Sequence, residues 1–168
     1  MHDAQEVAHY LVRHGVVLAT AESCTAGLIA SKLAEVPGCG SCLRLAVVTY
    51  APEAKKNVLG VEHALIERHG LTSEPVSLAM ARGVLEMSGA DLAVSNTGVA
   101  DEGAPDGTPA GTQCFAWIVR AAGRSGTPIE YTETKRFQGE RNEIRDAAAA
   151  YALGRIPHYL ALARGTPE

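Results

Sequence analysis

The residues best suited to chemistry lie in the segment 20–27, TAESCTAG, where four side chains with hydroxyl or thiol groups follow a short apolar run. The run VVLA at 16–19 predicts a buried strand, and apolar residues recur at helical spacing over 26–36. Ser23 or Thr25 is expected to cap that helix. Free N–H groups and the positive end of the helix dipole would then favour an anion or a developing oxyanion. The turn is a candidate site, although hydroxyl residues before a helix often serve only as caps.

A lysine follows the next predicted strand, which covers 43–50. Pro52 is expected to open a helix, because proline in the first turn forfeits no internal hydrogen bond. Lys55 then lies within about one turn of the helix start and close to Tyr50. The helix dipole and burial both disfavour an ammonium group there, so both would lower the pKa of Lys55. The other interpretation is a solvated surface lysine.

Two further features invite a functional interpretation. The segment 97–111 is a long loop rich in glycine and proline, and such loops inside a compact domain are usually functional or mobile. Arg141 falls in the first turn of the final predicted helix, where a cation opposes the dipole. It is therefore more plausible as an anion ligand than as a helix stabiliser, and a solvated side chain remains the alternative.

Cys39 and Cys42 form a Cys-x-x-Cys motif that could be a redox pair or half of a zinc site. The sequence offers no second cysteine pair and no close histidine pair to complete a zinc site. Redox folds place the first cysteine of the motif at a helix N-terminus, whereas this motif precedes a predicted strand. A redox pair and half of a zinc site are therefore both kept as hypotheses.

Composition limits the classes of function. The 168 residues suit one domain, 1–168, and the net charge of −4 without a basic run argues against nucleic-acid binding. No segment has the length of a transmembrane helix, and the start lacks the features of a signal peptide. The four cysteines are too sparse for a secreted disulfide framework. We therefore expect a cytoplasmic protein with no membrane partner.

Helical and strand patterns alternate along the chain and end in a hairpin, which favours an α/β fold. A turn is expected over 122–127, a break of the last helix at Pro157, and fraying beyond Ala163. The predicted helices cover about 3–14, 26–36, a segment from Pro52, 62–69, a segment from Ser73 and a segment from 139. The predicted strands cover 16–19, 43–50, 91–96, 112–119 and 129–137.

Several blocks in order along the chain resemble the CinA C-terminal domain family. They are 21–30, 48–55, 59–61, 69–74, 89–93, 97–100, 109–112 and 137–141. The resemblance implies a three-layer α/β/α sandwich with a mixed sheet, often assembled as a homo-oligomer. It also implies hydrolysis of the carboxamide of nicotinamide mononucleotide to nicotinate mononucleotide and ammonia, with no metal and no organic cofactor. A small nucleotide is then the expected partner.

The same resemblance implies roles for individual residues. The catalytic group is Ser23, Tyr50 and Lys55, and the expected substrate-binding residues are Thr25, Ser41, Thr97, Gly98 and Arg141. A neutral Lys55 would take the Ser23 proton directly or through Tyr50, and N–H groups near Thr25 would hold the oxyanion. Arg141 would bind the phosphate. Attack by an activated water instead of the serine remains open.

The chain departs from the family pattern at three places. Gly40 stands where relatives carry an active-site serine, which Ser41 or Cys39 would have to replace. Asp101 and Glu102 replace a glycine and a proline, and two carboxylates near a phosphate weaken binding by repulsion unless they point away or a cation bridges them. The paired glycines that relatives carry later in this loop are partly replaced by the segment 104–107, APDG, which would hinder close approach of the backbone to a ligand. The alternative function is a diverged paralogue without deamidase activity, acting as a binding or regulatory protein or on another small amide.

Overall fold

A five-stranded mixed sheet lies between two layers of helices in the computed structural model, which describes residues 2–121 and 126–166. The strands are β1 Leu18–Glu22, β2 Leu43–Val48, β3 Leu92–Gly98, β4 Thr112–Val119 and β5 Ile129–Arg136. The helices are α1 Ala4–Arg13, α2 Leu28–Ala34, α3 Pro52–Leu59, α4 His63–His69, α5 Glu74–Ser88, α6 Arg141–Gly154 and α7 Ile156–Arg164. This architecture confirms the predicted three-layer α/β/α fold.

The sheet has the strand order β2-β1-β3-β4-β5. Strands β1, β2 and β3 run parallel to one another, whereas β4 and β5 form an antiparallel hairpin on the β3 side. Ligands of open α/β sheets bind outside the carboxyl ends of the parallel strands, where neighbouring connections leave toward opposite faces. In this chain that place is the end of β1, between the ends of β2 and β3.

Each face of the sheet has its own core. Helices α1, α2, α6 and α7 pack on the face that carries Phe115 and Trp117 of β4. Helices α3 and α5 cover the other face, where the alternate β4 residues Ala116 and Ile118 are buried. Burial of both faces explains why the β4 sequence is an almost continuous apolar run.

The strand ends differ from the sequence prediction. β1 begins two residues later than expected and continues to Glu22, and β3 continues beyond Asn96 to Gly98. β1 is bonded on both sides, so Glu22 pairs with Val48 of β2 and with Asn96 of β3. Pairing in the centre of a sheet holds polar residues in strand conformation that a search for apolar runs misses.

The C-terminal region follows the prediction with one correction. The helical pattern breaks before Pro157, which lies in the first turn of α7. That helix continues to Arg164 and is closed by Gly165 at φ 63°, so the fraying expected from residue 164 is wrong for Arg164. Four residues of the turn predicted over 122–127 lie outside the described residues. Within 2–121 and 126–166, the helices are all too short or too polar to cross a bilayer.

Candidate active site

Lys55 and Ser23 are in contact at the carboxyl end of the parallel strands. Ser23 follows β1 directly, and Lys55 comes from the first turn of α3, whose start at Pro52 was predicted. The Lys55 Nζ donates to Ser23 Oγ over 2.9 Å. It also donates to the main-chain oxygens of Thr49 and Tyr50, at 2.7 and 2.9 Å. The Lys55 side chain is fully buried, and this desolvation lowers its pKa from 10.5 to about 8.

These three contacts determine which proton Lys55 exchanges. Carbonyl oxygens only accept hydrogen bonds, so Thr49 and Tyr50 hold two Nζ–H groups in either charge state. Loss of the third proton leaves a lone pair directed at Ser23 Oγ, the one contact of the three that is able to donate. The neutral amine is therefore oriented to accept the Ser23 proton.

A buried carboxylate, which the sequence reasoning missed, organises the turn after β1. Glu22 is fully buried and accepts hydrogen bonds from the N–H groups of Gly27, Ile29 and Ala30 at 2.9–3.0 Å. It also accepts from the hydroxyl of Thr25 at 2.8 Å. An anion at a helix N-terminus is stabilised by the dipole and by the free N–H groups, so Glu22 supplies both the cap and the charge.

Two expectations for this turn are therefore wrong. Neither Ser23 nor Thr25 caps α2, whose N-cap is Gly27 at φ 95° with no side-chain hydrogen bond. The helix N–H groups do not form an oxyanion site, because the Glu22 carboxylate already occupies them. The Thr25 N–H is also engaged, by the Asn96 side-chain oxygen at 3.1 Å. The signal in the sequence was an acidic residue within an otherwise small and hydroxyl-rich turn.

Three more polar side chains, also missed from the sequence, hold the turn from neighbouring elements. Asn96 of β3 accepts from the Thr25 N–H and donates from its Nδ2 to the Gln113 side-chain oxygen of β4 at 2.9 Å. Arg145 of α6 donates to the Cys24 main-chain oxygen at 2.9 Å. The turn contains Ala26 at φ 49°, a conformation that non-glycine residues seldom adopt. These contacts stabilise that backbone and so position Ser23.

Tyr50 contacts both Lys55 and Arg141, through different groups. The Tyr50 carbonyl accepts from Lys55, whereas its hydroxyl accepts from an Arg141 guanidinium nitrogen at 3.0 Å. Lys55 thus contacts Ser23 directly, and the Tyr50 phenol is bonded elsewhere. Another Arg141 nitrogen lies 2.6 Å from Asp101. A cavity of about 450 Å³ lies against Arg141 and is lined by Ala100, Phe137 and Ile144 among others.

Thr97 and Gly98 lie at the end of β3, and each is in contact with another residue of the chain. Thr97 is buried, and its hydroxyl donates to the Leu71 main-chain oxygen at 3.0 Å. A Cβ placed on Gly98 would lie 2.1 Å from the Gln113 side chain. Gly98 therefore makes room for Gln113 in the framework of the site. Their predicted contacts with substrate, like that of Thr25, stay predictions.

Within this chain, Ser41 lies at the amino ends of the parallel strands, opposite to the end that carries Ser23. It ends the single 3₁₀ turn Cys39–Ser41 before β2, and its hydroxyl donates to the Gly38 oxygen. The adjacent Cys42 oxygen accepts from Leu18 at the start of β1, whereas Ser23 follows the end of β1. The length of β1 separates the two by roughly 15 Å. One chain does not bring Ser41 to Ser23, and its predicted role stays a prediction.

The Cys-x-x-Cys motif lies at the same end of the parallel strands. Cys39 and Cys42 are both free thiols, and burial raises the pKa of Cys42. A reactive thiol needs the opposite shift. In the part of the chain that the structure describes, no cluster of three His, Cys, Asp or Glu side chains is arranged to hold a metal ion.

The fold and the Ser–Lys pair define a class of α/β protein with a buried amine–hydroxyl site at the carboxyl edge of its sheet. A profile of the family described as the CinA C-terminal domain matches residues 2–160. The chain belongs to the CinA C-terminal domain family.

Curated relatives agree with this membership. A competence-damage inducible protein of Symbiobacterium thermophilum is 44% identical over 161 residues, covering 93% of this chain and 37% of the relative. A CinA-like protein of Mycobacterium tuberculosis is 43% identical over 152 residues, covering 89% and 34%. The chain therefore spans about a third of the length of the relatives it matches.

Solved structures match over nearly their full length. A CinA superfamily protein of Klebsiella pneumoniae is 36% identical with a TM-score of 0.87, covering 95% of this chain and 96% of that one. A CinA superfamily protein of Escherichia coli is 31% identical with a TM-score of 0.84, covering 93% and 90%. The three-layer fold is thus shared with both.

Proposed function

We propose that this protein hydrolyses the carboxamide of nicotinamide mononucleotide to nicotinate mononucleotide and ammonia. The observation that carries the proposal is the buried Lys55 Nζ 2.9 Å from Ser23 Oγ at the carboxyl edge of the sheet. A lysine with a pKa near 8 is neutral in roughly a fifth of molecules at physiological pH, and this neutral fraction can act as the general base. Family membership supports the fold of the site and leaves its chemistry to be tested.

In the first half of the reaction, Ser23 Oγ transfers its proton to the Lys55 amine and bonds to the carboxamide carbon. The carbon–nitrogen bond then breaks, and the departing nitrogen takes the proton from the Lys55 ammonium, which releases ammonia. The product of this half-reaction is an ester of Ser23. Two carbonyls hold Lys55 throughout the reaction. The lone pair of the neutral amine and the third proton of the ammonium therefore point in the same direction, toward Ser23 Oγ.

In the second half, Lys55 takes a proton from water, the water oxygen bonds to the ester carbon, and Ser23 leaves with a proton from Lys55. The acid and the free enzyme result. The alternative mechanism uses the same pair to activate a water that attacks the carboxamide directly, without an ester. Both mechanisms need Lys55, and only the first needs Ser23 to form a bond.

The neighbouring thiol is a poorer nucleophile in this setting. Cys24 is buried, and desolvation raises its pKa above the ordinary value. Its Sγ accepts a hydrogen bond from Gln113 at 3.3 Å, which ties it to the framework of the turn. Ser23 is therefore the better choice for the attacking group.

Arg141 is the proposed phosphate ligand. Its guanidinium is about half exposed beside the 450 Å³ cavity, and it reaches Tyr50, whose carbonyl holds Lys55. A guanidinium binds phosphate with charge and two parallel hydrogen bonds. A phosphate at Arg141 would anchor the nucleotide next to Tyr50.

The test is ammonia release from nicotinamide mononucleotide by the purified protein, with nicotinate mononucleotide identified as the second product. Unrelated amides serve as substrate controls. A Lys55→Ala variant should lose the activity, and a Lys56→Ala variant, changed at the exposed neighbouring lysine, should keep it. No release by a folded wild-type protein would favour the diverged paralogue. The expected homo-oligomer is measured in the same preparation by analytical ultracentrifugation.

A further inference from the structure

Arg141 already holds an anion of this chain. Its Nη1 lies 2.6 Å from a carboxylate oxygen of Asp101, and its Nη2 donates to the Tyr50 hydroxyl at 3.0 Å. Both terminal nitrogens, which a phosphate would use as a pair, are therefore engaged. The hydrogen bonds that Arg141 donates to Asp101 and Tyr50 raise its pKa further, so the guanidinium stays charged.

The Arg141–Asp101 pair is open to exchange. The side chains are 45% and 58% exposed, and an ion pair in that setting is weak because water and salt screen it. A phosphate monoester carries more charge than a carboxylate and presents more acceptor oxygens. The phosphate is therefore able to displace Asp101 from the guanidinium. The displaced carboxylate remains close and repels the bound phosphate.

We propose that Asp101 is a specificity-determining residue, whose carboxylate competes with the phosphate of a nucleotide for Arg141. This inference rests on the proposed function of Arg141 as the phosphate ligand. The competition lowers affinity for phosphate-bearing ligands and does not act on the nucleoside, which has no phosphate to bind Arg141. The site of this chain thus discriminates less strongly between a nucleotide and its nucleoside than the same site would without Asp101.

The next residue provides a matched control. Glu102 is exposed and carries the same charge one position along the chain, and among the described residues it makes no ion pair. Removing its charge lowers the negative charge of this segment by one unit, as Asp101→Asn does, without freeing the guanidinium. An effect confined to Asp101 therefore reports direct competition, whereas equal effects at both positions report long-range repulsion.

The experiment measures equilibrium dissociation constants by calorimetry on Ser23→Ala protein, in which nicotinamide mononucleotide is expected to stay intact. Ser23→Ala is compared with the same protein carrying Asp101→Asn or Glu102→Gln. The ligands are nicotinamide mononucleotide, nicotinamide riboside and inorganic phosphate. We expect Asp101→Asn to tighten binding of mononucleotide and phosphate by about fivefold and to leave the riboside within about twofold. Glu102→Gln should leave all three within about twofold.

Unchanged or weaker phosphate and mononucleotide binding in Asp101→Asn would overturn the inference, as would equal tightening of the riboside. An equal gain in Glu102→Gln would also overturn it. Inorganic phosphate contains no amide, so this readout is independent of turnover. Failure of the proposed deamidation would appear instead as an absence of ammonia release by the wild-type protein. That result is independent of whether Asp101 competes with phosphate at Arg141.

Discussion

The Nζ of Lys55 lies 2.9 Å from Ser23 Oγ, and its two other acceptors are main-chain oxygens of Thr49 and Tyr50. Because the carbonyls cannot donate, deprotonation of the buried amine leaves a lone pair on Nζ that is directed at Ser23 Oγ. The pair is built from the end of β1 and the start of α3, with β2 between them in the chain.

Replacing Ser23 with alanine should separate the two mechanisms. If Ser23 attacks the carboxamide, Ser23→Ala should lower kcat for ammonia release by about a thousandfold or more, because no other residue forms the ester. The measurement is steady-state ammonia release, with Ser31→Ala as the control, since Ser31 is an exposed serine on α2. Loss of less than about tenfold would instead support direct attack by water.

Activity should depend on the ionisation of Lys55. Burial lowers the pKa of Lys55 to about 8, and only the neutral amine accepts the Ser23 proton. We therefore expect kcat/KM to rise with pH and to level off above about 8. The profile is measured with wild type and with Lys56→Met, which should give the same midpoint. A profile that is flat between pH 7 and 9 in both proteins would contradict the assignment of Lys55 as the base.

The same pKa shift should appear in stability. In the folded protein Lys55 loses its proton near pH 8, whereas in the unfolded chain it keeps it until about 10.5. Between these values the unfolded state binds more protons, so the free energy of unfolding contributed by Lys55 rises with pH. Relative to Lys55→Met, wild type should gain about 1–2 kcal/mol between pH 8 and 9.5.

This gain is measured by urea unfolding of wild type, Lys55→Met and Lys56→Met at several pH values. The Lys56→Met variant should follow wild type, because that side chain is exposed. A constant difference between wild type and Lys55→Met over pH 7 to 10 would show that the folded pKa is not lowered.

The Glu22 carboxylate should be required for stability. It is fully buried and accepts three main-chain N–H groups at the start of α2. Glu22→Gln removes the charge that faces the helix dipole and turns an amide donor toward groups that are themselves donors. We expect a loss of about 2–4 kcal/mol in the free energy of unfolding. Glu35→Gln, at the exposed C-terminal end of the same helix, should cost less than about 0.5 kcal/mol.

Local patterns predicted most elements of the fold, because each has a signal within a few residues. Pro52 and Ser73 marked the starts of α3 and α5, and the apolar run of β4 was predicted with its observed bounds. The failures lie where distant pairing overrides local pattern. Glu22 and Asn96 are polar, yet they pair with each other in the centre of the sheet.

For the candidate site, the sequence was sufficient to select Ser23, Tyr50, Lys55 and Arg141, because a turn, a helix start and a family motif are local features. It did not determine which groups touch. Three features depend on how β1, β2 and α6 are placed around one another. Glu22 caps the start of α2, Arg141 pairs with Asp101, and Ser41 lies at the amino ends of the parallel strands. Residues up to 121 positions apart meet there, and only the packed sheet and helices bring them within hydrogen-bonding distance.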